Sequence, residues 1–212
     1  MEFSFKQPKT YRYEILNDLP EATTVLYVLH GYGQLAKYFI KKFTKIDTDI
    51  LVVAPEGMHR FYRKGNSGRV GASWMTREIR QVDIDDNMVW LTELDNLISK
   101  KHPINKRIVL GFSQGGSTAA RWYLNGNTKF DSLIVWGSDF PSEEENVLER
   151  VKNDLNNHFV VGTQDEFFDE DRRNALISYY KSIGFKISTY IGPHDIDVQT
   201  LINLIHRIQQ KL

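Results

Sequence analysis

The 212 residues carry 27 Lys plus Arg against 27 Asp plus Glu, giving a formal net charge of zero, and 41% of them are hydrophobic. That balance excludes a long-range field of one sign, and with it a dedicated nucleic-acid or membrane-surface binder. The absence of cysteine removes disulfides, thiolate nucleophiles and cysteine metal sites.

The length suits one domain spanning residues 1–212, since chains usually split only beyond ~250–300 residues. The N-terminus lacks a signal-peptide pattern. No apolar run approaches the ~18 residues that span a bilayer. The expectation is a soluble cytoplasmic protein.

Taken in chain order, residues 11–16 read as a strand, with residues 2–6 as a hairpin partner. Apolar runs follow at 25–29, 50–54, 107–112, 132–136, 158–161 and 185–191, most of them stopped by Gly or Pro. Such runs read as strands buried on both faces of a parallel sheet. Between them, residues 34–46, 82–101, 114–124, 142–155, 168–182 and 196–210 read as helices. Alternating strand and helix predicts an α/β fold with a mostly parallel central sheet. Residues 55–76, rich in Gly, Arg and aromatics, interrupt the rhythm and read as a long irregular loop of functional interest.

The sharpest motif is Gly111-Phe112-Ser113-Gln114-Gly115. It stands between an apolar strand and a stretch of small residues suited to a helix. A nucleophile elbow needs this spacing, because strand and helix approach too closely for a Cβ two residues either side of the serine. The competing reading is a glycine-rich strand–helix turn without chemistry.

A serine hydroxyl needs a base, usually a histidine held by a carboxylate, and this fold orders them Ser, acid, His. His30, His59 and His102 precede Ser113; His158 opens an apolar run and His206 sits inside the last helix. His194, after Gly192-Pro193, remains. Asp165 is the preferred acid, with Glu166, Asp169 and Asp139 as rivals; Asp195 reads as the cap of the last helix. An oxyanion hole would use the backbone N–H of Gln114 and of Tyr32, the latter in His30-Gly31-Tyr32-Gly33, with His30 structural.

These four segments, His30–Gly33, Gly111–Gly116, Gly162–Asp165 and Pro193-His194, together resemble the phospholipase/carboxylesterase family, which includes the acyl-protein thioesterases. Ser73-Trp74 fits the same pattern. The chain departs from it at Gln34, where Asp is frequent, and at Pro193, where Gly is usual. The resemblance implies a compact α/β-hydrolase fold with little or no cap, a triad of Ser113, Asp165 and His194, and backbone donors Tyr32 and Gln114. It also implies chemistry without metal or cofactor.

Tyr32, Trp74, Phe140 and Phe167 neighbour the motif loops and are candidates to line the substrate pocket; core packing is the competing role for each. Arg60, Arg63, Lys64 and Arg69 could meet an anionic substrate or form a solvated face. The expected partner is a small-molecule acyl ester or thioester, acted on by a monomer or homodimer. A serine peptidase and a non-catalytic scaffold of the same fold are the rival readings.

Overall fold

The computed structural model describes residues 3, 5, 7–46, 49–151 and 156–210. In chain order its strands are β1 (Tyr13–Ile15), β2 (Thr24–Leu29), β3 (Ile50–Pro55), β4 (His59–Lys64), β5 (Ser67–Ser73), β6 (Lys106–Phe112), β7 (Ser132–Trp136), β8 (His158–Gly162) and β9 (Lys186–Tyr190). Its α-helices are α1 (Ala36–Phe39), α2 (Arg80–Lys101), α3 (Gln114–Asn125), α4 (Val147–Arg150), α5 (Glu170–Ser182) and α6 (Val198–Gln209).

Seven strands form one sheet in the order β1-β3-β2-β6-β7-β8-β9. Every pairing is parallel except β1 with β3. The runs in β2, β3, β6, β7 and β8 are continuous because both faces are covered; edge strand β9 is only partly buried. Val25, Tyr27 and Leu29 of β2 face one core cluster, with Trp90 and Leu94 of α2. Leu26 and Val28 face the other, with Phe39 of α1 and Leu204 of α6. Burying a side chain of this kind stabilises by roughly 1.5–3 kcal/mol.

Chain order reverses direction across the sheet between β2 and β6. At such a switch point the loops at the carboxyl ends of neighbouring strands diverge and leave a crevice. Leu29 is in register with Gly111, and Phe112 with Trp136. The loops after β2, β6 and β7 therefore emerge side by side.

Three expectations are corrected, and a fourth falls largely outside the described residues. Residues 55–76 are no irregular loop: β4 and β5 pair antiparallel as a separate two-stranded sheet. Its strands are largely solvent-facing, so no run of apolar residues marks them. Segment 34–46 is a short α1 continued by a 3₁₀ turn at Ile40–Phe43. Within 142–155 the described helix is only Val147–Arg150, and residues 152–155 lie outside the described residues. Residues 13–15 pair with β3; the partner expected at 2–6 falls largely on residues 2, 4 and 6, outside the described residues.

Candidate active site

Ser113 stands between β6 and α3 with φ 53° and ψ −124°. An L residue takes that conformation only under constraint from its surroundings. The constraint is close packing. A Cβ on Gly111 would lie 2.1 Å from the Gly115 carbonyl oxygen, and one on Gly115 would lie 2.4 Å from the Leu29 oxygen. Only glycine fits at either position, which is the steric reason for the motif's spacing. The turn is held by the Ser113 N–H donating to the Trp136 carbonyl at 2.9 Å.

His194 follows β9, and Asp165 follows β8. The imidazole Nδ1 lies 2.7 Å from Asp165 Oδ2, and the carboxylate is almost fully buried. A carboxylate only accepts, so Nδ1 carries the proton and Nε2 is left with its lone pair. Asp165 Oδ1 accepts from the Phe167 amide at 3.0 Å, which orients the acid. Phe112 and Phe167 pack their rings 4.7 and 4.6 Å from the imidazole. Ser113, Gln114, Phe167, Arg172 and His194 line one groove of about 270 Å³.

The rival acids are engaged elsewhere. Glu166 accepts the His194 backbone N–H at 3.0 Å, a bond that holds its carboxyl below the usual glutamate range. Asp169 caps α5 through the Arg172 amide, and Asp139 pairs with the Arg172 guanidinium at 2.7 Å. Asp195 does not cap the last helix, as the sequence suggested. Asp197 does, accepting from the Thr200 amide, while Asp195 pairs with Lys42.

The loop after β2 is built around His30. Its Nδ1 lies 2.8 Å from the Gly31 carbonyl and its Nε2 accepts from the Gly57 amide at 2.9 Å. The Nε2 bond requires the neutral ring, with Nδ1 donating to Gly31, and burial lowers its pKa to about 4. Gln34 steadies the loop, its Oε1 accepting from the Gly31 amide at 2.9 Å. A Cβ on Gly31 would lie 3.2 Å from Ser113 Cβ, so this loop lies directly against the elbow. Gln114 opens α3, where the first N–H groups have no acceptor within the helix. Its side chain is spent on the neighbouring segment, taking the Trp74 amide at 3.1 Å and donating to the Met75 carbonyl at 3.1 Å.

The aromatic candidates separate. Phe167 is 63% exposed and borders the groove. Tyr32, equally exposed, borders an adjoining cavity with Met75 and Gln114. Trp74 and Phe140 do not reach the groove, contrary to expectation. Trp74 is fully buried, with Nε1 donating to the His30 carbonyl at 2.8 Å, and Phe140 packs on Tyr180 and Phe185. Sequence reasoning also missed Gly137. Its φ is +54°, and a Cβ there would lie 3.1 Å from His194 Cε1. Its place right after β7, a strand adjoining β6, was the available signal.

The family model described as Phospholipase/Carboxylesterase matches residues 12–212. Among solved structures, esterase PE8 superposes with a TM-score of 0.69 at 17% identity, covering 94% of this chain and 100% of its own. A Zea mays acyl-protein thioesterase 2 gives 0.70 at 15% identity, covering 94% and 98%. The Bacillus cereus carboxylesterase gives 0.68 at 12%, covering 95% of each chain. No curated protein matches significantly. The family match over nearly the whole length places the chain in the phospholipase/carboxylesterase family of α/β-hydrolases, hydrolytic enzymes of the esterase and thioesterase type.

Proposed function

We propose that the protein hydrolyses carboxylic esters or thioesters of small-to-medium acyl groups through an acyl-enzyme on Ser113. His194 Nε2 removes the hydroxyl proton as Ser113 Oγ bonds to the acyl carbon. The Asp165 carboxylate steadies the imidazolium that forms. The carbonyl oxygen becomes an oxyanion, met by the N–H groups of Gln114 and Tyr32; each such donor is worth on the order of 10²–10³ in rate. Collapse expels the alcohol or thiol, which takes the proton from His194. Water then attacks the acyl carbon and gives a proton to His194; as the bond to Ser113 Oγ breaks, His194 returns that proton to Oγ and the acid leaves.

The observation that carries this reading is the 2.7 Å His194–Asp165 bond in the groove that Ser113 also lines. The groove's volume of about 270 Å³ favours the smaller acyl groups. The test is turnover of 4-nitrophenyl acetate, butyrate and octanoate, and of a matched butyryl thioester, by wild type and Ser113→Ala. The variant is expected to lose at least about 10³-fold in kcat, and a fluorophosphonate to label wild type alone. Ester turnover surviving in Ser113→Ala would overturn the assignment.

A further inference from the structure

A further concavity, of about 640 Å³, lies between the β4–β5 hairpin and α1. Its walls carry Lys37 and Tyr38 from α1, Lys42 from the turn that follows, and Arg63 and Arg69 from the hairpin; no carboxylate lines it. Lys42 is neutralised by Asp195 at 2.6 Å. Arg60, on the same hairpin, is neutralised by buried Glu56. Among the described residues no carboxylate lies within ion-pair distance of Lys37, Arg63 or Arg69. Three cations thus converge on one recess of a chain whose net charge is zero. All three are solvent-exposed, and gathering like charges costs free energy that a bound anion removes.

The recess adjoins the site. Gly33 lies on its wall, and a Cβ there would sit 3.7 Å from Arg63 Nε. The hairpin is fixed to this loop by the Gly33 amide donating to the Ala72 carbonyl at 2.8 Å, and the Ala72 amide donating to Gln34 at 3.0 Å. At the loop's other end Gly31 packs on Ser113. Gly31 and Gly33 are separated by at most about 7 Å of chain. These contacts and the chain between them put Arg63 on the order of 10 Å from Ser113, a span that an extended leaving group bridges.

We propose that this recess binds a phosphate-type dianion carried on the leaving-group side of the ester substrate, with Arg63 and Arg69 as the anion-binding residues. Guanidinium forks match phosphate oxygens in pairs, and two or three cations balance a dianion where a neutral alcohol would leave them unpaired. The proposal rests on the hydrolase reading above, but it can fail separately.

The experiment measures kcat/KM for 2-(butyryloxy)ethyl phosphate and for its neutral counterpart 2-hydroxyethyl butyrate, in wild type and in Arg63→Ala/Arg69→Ala. Calorimetry with inorganic pyrophosphate is run on both proteins. The ratio of charged to neutral kcat/KM is expected to fall at least about tenfold in the variant. Pyrophosphate should bind wild type, compete with the charged substrate and lose its binding in the variant. An unchanged ratio, pyrophosphate binding that does not compete, or no binding to folded wild type would overturn the proposal. If neither ester is turned over while pyrophosphate binds Arg63 and Arg69, the hydrolase reading fails instead.

Discussion

At the scale of single residues, direction matters more than proximity in sequence. Asp165 and Glu166 are neighbours, yet one carboxylate meets the imidazole of His194 and the other its backbone N–H. The Asp165→Asn variant keeps the shape but offers an amide where Nδ1–H needs an acceptor. Its kcat on a butyrate ester is expected to fall on the order of 10²–10⁴. The Glu166→Gln variant keeps an oxygen for the His194 amide and should stay within about tenfold of wild type. Equal losses in the two would mean that the acid has been misassigned. The elbow motif singled out Ser113, the chain order Ser, acid, His singled out His194, and the register after Gly162 favoured Asp165; the structure puts Ser113 and His194 on one groove and pairs His194 with Asp165. Trp74 and Phe140 were misjudged because adjacency to a motif says nothing of where a side chain points. Trp74 turns inward to the His30 carbonyl, a direction set by tertiary packing.

At the scale of elements, the sequence announces those that are buried and hides those that are not. All six runs became strands of the main sheet; five are buried and uninterrupted because both faces are covered, whereas edge strand β9 is partly exposed and carries polar residues. The hairpin was missed because its strands read His-Arg-Phe-Tyr-Arg-Lys and Ser-Gly-Arg-Val; Gly65-Asn66 between them was the available turn signal. The start of α5 shows what an exposed contact can do. Arg172 reaches back from it to Asp139 in the loop after β7, and both side chains border the groove that Ser113 and His194 line. Both are about half exposed, so the pair contributes at most about 1 kcal/mol to stability. Its larger role is to wall one side of the groove. The Arg172→Ala variant should therefore unfold at nearly the wild-type urea midpoint, while its ratio of octanoate to butyrate kcat/KM rises several-fold. A ratio that does not move would show that the ion pair leaves acyl length unrestricted.

At the scale of the whole molecule, the site exists only because the sheet reverses its winding between β2 and β6. That reversal brings residue 31 against residue 113, and the parallel strands beyond it add residues 165 and 194. The sequence allowed the alternation of strand and helix to be read, but not this lateral order, which depends on contacts across many tens of residues. His30 ties the site to global stability. It is fully buried, accepts from the Gly57 amide and must stay neutral to do so. Burial lowers its pKa from 6.5 to about 4. Between those values the unfolded chain binds a proton that the folded chain refuses, so this contribution is present above pH 6.5 and is lost as pH falls toward 4. The slope is about 1.4 kcal/mol per pH unit. The His30→Gln variant retains an acceptor for the Gly57 amide but no longer titrates. It should be less stable than wild type at pH 7, with the difference shrinking by about 2 kcal/mol between pH 7 and pH 5 in urea unfolding. Parallel stability curves for the two proteins over that range would mean that proton uptake at His30 is not what acid exploits to unfold this fold.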